Sequence, residues 1–179
     1  HLNEEMIGKA TSFIQLHYKE FSSMSWVYSC GAGANYGTAL ESALKMGETI
    51  HIPSCCYEIE EYIHGPNLQL TPQYNVIFFD GNDVASHRVE QVYKATRKVS
   101  NRAYLISNNP QLVMDDHVLS LSDTVSSELC PLVYLPFVQL LSFIISNDLH
   151  SIYQHPLLKE FKAIAAAKTE NFVNYDGDD

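Results

Sequence analysis

A strand, a glycine turn and a helix follow one another between Trp26 and Glu48, and this succession restricts the fold more than any other feature. Trp26-Val-Tyr-Ser-Cys30 is a short apolar run of the length of a buried strand. Gly31-Ala-Gly33 follows, where residues without a Cβ let the chain reverse tightly. Asn35 is placed to cap a helix, and residues 36–48 keep helical spacing. On that helix Leu40, Ala43, Leu44 and Gly47 are expected to face the core. Glu41, Lys45 and Glu48, four and three residues apart, fall on one narrow stripe beside them. A Glu-to-Lys pair at this spacing adds only ~0.2–0.5 kcal/mol to an exposed helix, so spacing alone makes the stripe a solvated ion pair.

The remaining chain repeats the alternation. Residues 2–24 carry Met6, Ala10, Phe13, Ile14, Phe21 and Met24 at helical period and predict one long helix. Residues 49–55 predict a strand and 58–63 a short helix. Asn-Val-Ile-Phe-Phe at 75–79 is a strand without polar alternation, as expected when both faces are covered. A helix at 84–99, strands at 103–106 and 117–121, and a long helix at 127–147 complete the series. Strands alternating with helices predict an α/β fold, a doubly wound, flavodoxin-like parallel sheet flanked by helices. One domain spans 1–179, with 150–179 as a C-terminal tail.

Composition excludes several classes. With 46% apolar and 18% charged residues the 179-residue chain is a folded domain with a core of its own. Its formal charge is −10, and its densest basic cluster, Lys94, Arg97, Lys98 and Arg102, reads as a solvated helix face. Nucleic acid is therefore not an expected partner. An anionic substrate would need a local cation, which draws attention to Lys45. Cys30, Cys55, Cys56 and Cys130 include no C-x-x-C pair and read as reduced thiols of a cytoplasmic protein. The apolar stretch 129–145 contains Pro131 and Pro136 and suits a buried helix better than a membrane span. His1 reads as the remnant of a tag, and the chain as one excised from a longer protein.

Cofactor and metal motifs are weak. Gly31-Ala-Gly33-Ala-Asn-Tyr-Gly37 is one residue too long for a dinucleotide fingerprint, and only Glu58 approaches the acidic residue that should close the next strand. The acidic end, residues 176–179, lacks the ligand spacing of a calcium loop. Asp115-Asp116-His117 reads as a solvated turn, since three adjacent residues are not expected to converge on one ion. No cofactor and no metal are expected.

Ala39-Leu-Glu41, Ala43-Leu-Lys45, Glu48 and then Glu61-Tyr-Ile-His64-Gly65-Pro66 resemble, in register over about forty residues, the C-terminal sugar isomerase (SIS) domain of the phosphosugar isomerase superfamily. Members include glucosamine-fructose-6-phosphate aminotransferase and the fructosamine- and glucoselysine-6-phosphate deglycases. The sixteen residues from Glu48 to His64 match the family's interval. Two positions depart from it: Glu60 stands where the family has glycine, and Ile63 where the aminotransferase has lysine. The second departure leans toward deglycase or deaminase chemistry.

The resemblance implies a sugar-phosphate substrate and proton transfer between C1 and C2 through an enediol or enediolamine. Glu48 resembles the base, which such chemistry requires to be a partly buried carboxylate. His64 would open the ring from the neighbouring subunit of a homodimer. Lys45 or the tail's Lys168 would supply a cation near the carbonyl. Glu41 would hold Lys45, and Gly31, Gly33 and Glu61 would line the substrate. The family's Ser/Thr-rich phosphate loops are missing, because the candidate loop ends read Cys30-Gly-Ala-Gly and Ser107-Asn-Asn-Pro. In two-domain members those loops belong to the first SIS domain, so this chain is expected to be the second half, lacking its N-terminal SIS domain. The alternative is a non-catalytic, sugar-phosphate-sensing SIS domain of a regulator.

Overall fold

The computed structural model describes residues 1–112, 115–151 and Ile164. Among these residues five strands, β1 (Val27–Gly31), β2 (Ser54–Glu58), β3 (Asn75–Asp80), β4 (Ala103–Ser107) and β5 (Val118–Ser120), pair in parallel throughout. Their order, β2-β1-β3-β4-β5, is that of a flavodoxin-like sheet. β1, β3 and β4 are buried along their whole length, which accounts for their unbroken apolar runs.

Among the described residues six α-helices cover the sheet: α1 (Leu2–Leu16), α2 (Tyr18–Ser22), α3 (Asn35–Lys45), α4 (Ile59–Ile63), α5 (Ser86–Arg97) and α6 (Cys130–Asp148). On one face Met6 and Ile14 of α1, Ala39 of α3 and Phe137 of α6 pack with Ile77, Phe79 and Ile106. On the other, Tyr62 of α4 and Val89 and Tyr93 of α5 pack with Val76, Phe78 and Leu105. Each buried Val, Leu, Ile, Phe or Met among them contributes about 1.5–3 kcal/mol by leaving water. At the β5 edge α1 finishes the sheet. Lys9 Nζ donates to Ser120 O (2.7 Å), and Ser122 donates from N and Oγ to the two oxygens of Glu5 (2.7 Å each).

The structure corrects several expectations. The long first helix breaks at His17, which is buried against Phe13 and Tyr104 and held by its Nε2 to Asp116 O at 2.8 Å. Asn35 does not cap α3 but begins it, buried, its Oδ1 accepting from Thr38 Oγ1. The strand expected at 49–55 starts only at Ser54, because His51 takes a left-handed conformation (φ 63°) and Pro53 follows. Leu40 and Leu44, expected in the core, are 46% and 56% exposed. The buried side of α3 is instead polar and small: Asn35, Thr38, Ala39, Ser42 and Ala43. Small residues let the helix lie close on β1, where Ser29 Oγ donates to Ser42 Oγ at 2.9 Å. The segment Ser127–Asp148 is long and apolar enough to cross a membrane, yet half of that window is buried inside the fold, as in a core helix. All four cysteines are free thiols.

Candidate active site

α3 begins hard against the end of β1. A Cβ on Gly31 would stand 2.3 Å from Asn35 O, a backbone clash that only glycine avoids. From there α3 runs back toward the amino ends of the strands, and Ser54 Oγ, at the start of β2, donates to Ala43 O at 2.6 Å. The helix then widens into a π-turn, Met46–Ile50. Thr49 Oγ1 donates to Lys45 O and Ser151 Oγ to Thr49 O, both at 2.7 Å. Such turns recur at functional sites, and this one carries Glu48. Nothing in the residue spacing announces it.

Lys45 Nζ lies 3.3 Å from Glu41 Oε1 and donates a short hydrogen bond to Glu48 Oε1. The bond to Glu48 raises the Lys45 pKa above the usual lysine range; burial opposes this and Glu41 adds to it. The stripe therefore holds a firmly charged ammonium between two carboxylates. Glu48 itself is 45% exposed. The partly buried base expected from the chemistry is not formed within this domain, because Glu48 sits on the last turn at the sheet edge. Beside it Leu40, Ala43, Leu44 and Gly47 and the edge strand β2 from Ser54 to Tyr57 line a shallow groove of about 570 Å³. A groove of about 660 Å³ at the β5 edge is lined by Glu4, Glu5 and Lys9 and by none of the expected site residues.

The other expected site residues lie apart from this stripe. The eleven residues of α3 put Gly31 and Gly33 ~16 Å from its far end. Glu61 and His64 are exposed on and after α4, where His64 N closes the turn on Glu61 O at 3.1 Å. α4 packs on the face opposite α3, so within one chain the sheet edge stands between His64 and Glu48. Lys168 lies outside the described residues. Glu60, in the family's glycine position, takes a bidentate bond from Arg88 of α5 (2.6 and 3.0 Å). That bond, with His64 adding at longer range, holds the Glu60 carboxyl below its usual range.

Open α/β sheets usually take ligands at the carboxyl ends of their strands. Here that end is filled by a polar network absent from the sequence reading. Buried Asp80 accepts from Ser107 Oγ (2.7 Å), Asn82 N (3.2 Å) and Ser86 Oγ, while Tyr134 Oη donates to Asp80 O (2.6 Å). Asp83 Oδ2 and Asn35 Nδ2 stand 2.9 and 3.0 Å from where a Cβ of Gly81 would be. Two carboxylates without a basic neighbour among the described residues repel a phosphate. The signal was an acid closing a buried strand, Phe79-Asp80-Gly81.

Asp115, Asp116 and His117 do bring their ligand atoms within 4.8 Å of one another, contrary to expectation. Their atoms are already engaged: His117 faces Asp116 Oδ1 (2.7 Å) and Asn101 O (3.1 Å), and Asp115 takes Tyr93 Oη (2.9 Å). Through Asp115 and Tyr93 this turn ties the start of β5 to α5.

No protein-family model matches the sequence, and no curated protein matches it. Solved structures do. A proposed phosphosugar isomerase of Clostridium difficile 630 superposes with a TM-score of 0.79 at 21% identity, over 94% of this chain and 47% of that one. The C-terminal domain of glucosamine-fructose-6-phosphate aminotransferase from Francisella tularensis gives 0.70 at 23% identity, over 82% and 42%. A proposed tagatose-6-phosphate ketose/aldose isomerase of Clostridium novyi NT gives 0.70 at 21%, over 87% and 45%. This chain thus spans less than half the length of each. In sheet order, helix placement and this shared architecture, the chain has the fold of a sugar isomerase (SIS) domain.

Proposed function

We propose that this chain is the acid/base half of a phosphosugar isomerase-type enzyme, acting on fructose 6-phosphate-like or fructosamine 6-phosphate substrates. The observation that carries the reading is Glu48 on its π-turn, bonded to a Lys45 that Glu41 also holds. Glu48 moves the proton between C1 and C2, and the Lys45 ammonium positions the carboxylate and steadies charge developing on the substrate oxygen. Isomerase, deglycase and aminotransferase chemistry share this step. The acidic carboxyl-end crevice supports placing the phosphate on another domain, the N-terminal SIS domain of a longer protein. Separation of His64 from Glu48 by the sheet edge supports a homodimer in which each His64 serves its partner's site. Ser151 beside Thr49 starts the tail near Glu48, which supports Lys168 as a second cation there.

In the full-length protein, Glu48→Gln keeps the side chain's shape but removes the base, so turnover of fructose 6-phosphate should fall ~10²–10⁴-fold with little change in binding. Near-normal turnover assigns the base elsewhere. Refolding Glu48→Gln together with His64→Asn should restore roughly a quarter of wild-type activity, because half the dimers are mixed and each has one intact site. Mixed dimers without activity place His64 in its own subunit's chemistry or outside it.

A further inference from the structure

The π-turn that carries Glu48 is pinned at both ends and along its back. Met46 and Ile50 are buried in the core that Leu141 and Ile145 of α6 also fill. Between these anchors the turn closes its backbone five residues apart rather than four, so its carbonyls no longer meet the amides an α-helix would supply. Two hydroxyls take their place. Thr49 Oγ1 donates to Lys45 O at 2.7 Å, four residues back, where an α-helix would put the Thr49 amide. Ser151 Oγ donates to Thr49 O at 2.7 Å, with Ser146 O further off at 3.4 Å. Ser151 follows His150, which leaves α6 in a left-handed conformation (φ 52°), an ordinary way to end a helix. His51, also left-handed (φ 63°), ends the π-turn. Ser151 stands 102 residues from Thr49 in the chain, so its bond is a contact of the fold and not a local feature of the turn.

We propose that Thr49 and Ser151 are positioning residues for Glu48: their hydroxyls hold the π-turn in the register that sets its carboxylate beside Lys45 and toward the substrate. The inference rests on the functional reading above, in which Glu48 moves the proton. Such a transfer tolerates little misplacement of its base, an ångström costing up to ~10²-fold. Glu48 is 45% exposed, and its side chain bonds Lys45, one turn back on the same helix edge. That bond travels with the helix and does not settle where the pair points. The backbone under Glu48 settles it, and the two hydroxyls keep this backbone from closing as an α-helix. The carbonyl that Thr49 holds belongs to Lys45, so one hydroxyl ties together the main chain beneath both charged partners. Both hydroxyls are spent on main-chain oxygens, and they act on the reaction through Glu48.

Hydrogen exchange and kinetics in the full-length protein separate the turn from the chemistry. Ser151→Ala removes a hydroxyl and little volume. The amides of residues 47–51 should then exchange at least about tenfold faster than in wild type, while those of β3 keep their rates. With fructose 6-phosphate, kcat should fall about tenfold with KM within about twofold, and Ser151→Thr, which keeps the hydroxyl, should recover most of the loss. Thr49→Val keeps the branched shape without the hydroxyl and should show the same split, with Thr49→Ser as its rescue. Because both hydroxyls hold one turn, Thr49→Val combined with Ser151→Ala should lose less than the product of the single losses. Unchanged exchange at 47–51 in both single variants overturns the proposal, as does faster exchange with wild-type kcat. A loss seen in KM alone, or one that neither Ser151→Thr nor Thr49→Ser corrects, overturns it too. If Glu48→Gln turns over normally, the functional reading falls and takes the positioning role with it, while the exchange rates still decide whether the hydroxyls hold the turn.

Discussion

At the β5 edge of the sheet, α1 lays Lys9 and Glu5 across the strand and bonds its outer groups at Ser120 and Ser122. At the β2 edge the nearest helix, α3, turns Leu40 and Leu44 outward and sets Glu41, Lys45 and Glu48 beside them. Both edges face the same aggregation hazard. One is finished within the domain by charged side chains that protect backbone groups. The other keeps its apolar strip and gathers Glu41, Lys45 and Glu48 next to it. The difference teaches that the fold closes one sheet edge with its own charged side chains and leaves the other uncovered within the domain.

Truncations of similar chemistry break this comparison most strongly. Ile14, fully buried in the helix that closes the β5 edge, should cost about 2–5 kcal/mol as Ile14→Ala. Leu44→Ala, at the β2 edge, removes a side chain already more than half in water and should cost less than about 1 kcal/mol. Urea unfolding of the two variants checks this. Equal costs would mean that the β2 edge is packed within the domain after all.

A smaller effect sharpens the description of the closed edge through pH. Burial pushes the Glu5 carboxyl up, but bonds from Lys9 and Ser122 outweigh it and leave the pKa below the usual carboxylate range. A carboxyl with a lowered folded pKa stabilises the fold above its unfolded pKa, about 4.3. That contribution is lost as pH falls through the lower folded value. Glu5→Gln should therefore be less stable than wild type by about 1 kcal/mol at pH 7, and the gap in urea midpoint should close below pH ~4. A gap that persists in acid would assign Glu5 a packing role.

The sequence carried the sheet and its flanking helices because strand runs such as 75–79 and the Gly31 turn leave few alternatives. It also carried the register of Glu41, Lys45 and Glu48, which follows from helical geometry alone. What it hid depends on neighbours distant in the chain. Helical spacing gives the separation of Leu40 and Leu44 from Glu41 but not which side meets the sheet, and Ser29–Ser42 contact decided that. Asp80 showed only as an acid closing a buried strand; its partners, Ser86 at the start of α5 and Ser107 at the end of β4, lie further along the chain. The break at His17 depends on Asp116, ninety-nine residues away.

The smallest predicted effect falls on the residue at the centre of the open edge. Lys45 is 27% exposed and bonds two carboxylates that are 32% and 45% exposed. Water and salt screen such pairs, and holding three long side chains costs entropy, so exposed pairs contribute between nothing and about 1 kcal/mol. Lys45→Met keeps the stem that lies along α3 and removes the charge. It also leaves Glu41 and Glu48 without their shared cation, though both can turn to water. The net loss of stability should be ~0.5 kcal/mol or less and should shrink further in 1 M salt. A loss above about 2 kcal/mol that salt does not change would make the stripe a structural joint, like the Glu5–Lys9 edge opposite. A small, salt-sensitive loss leaves the stripe as charge placed on a surface that the fold itself does not need.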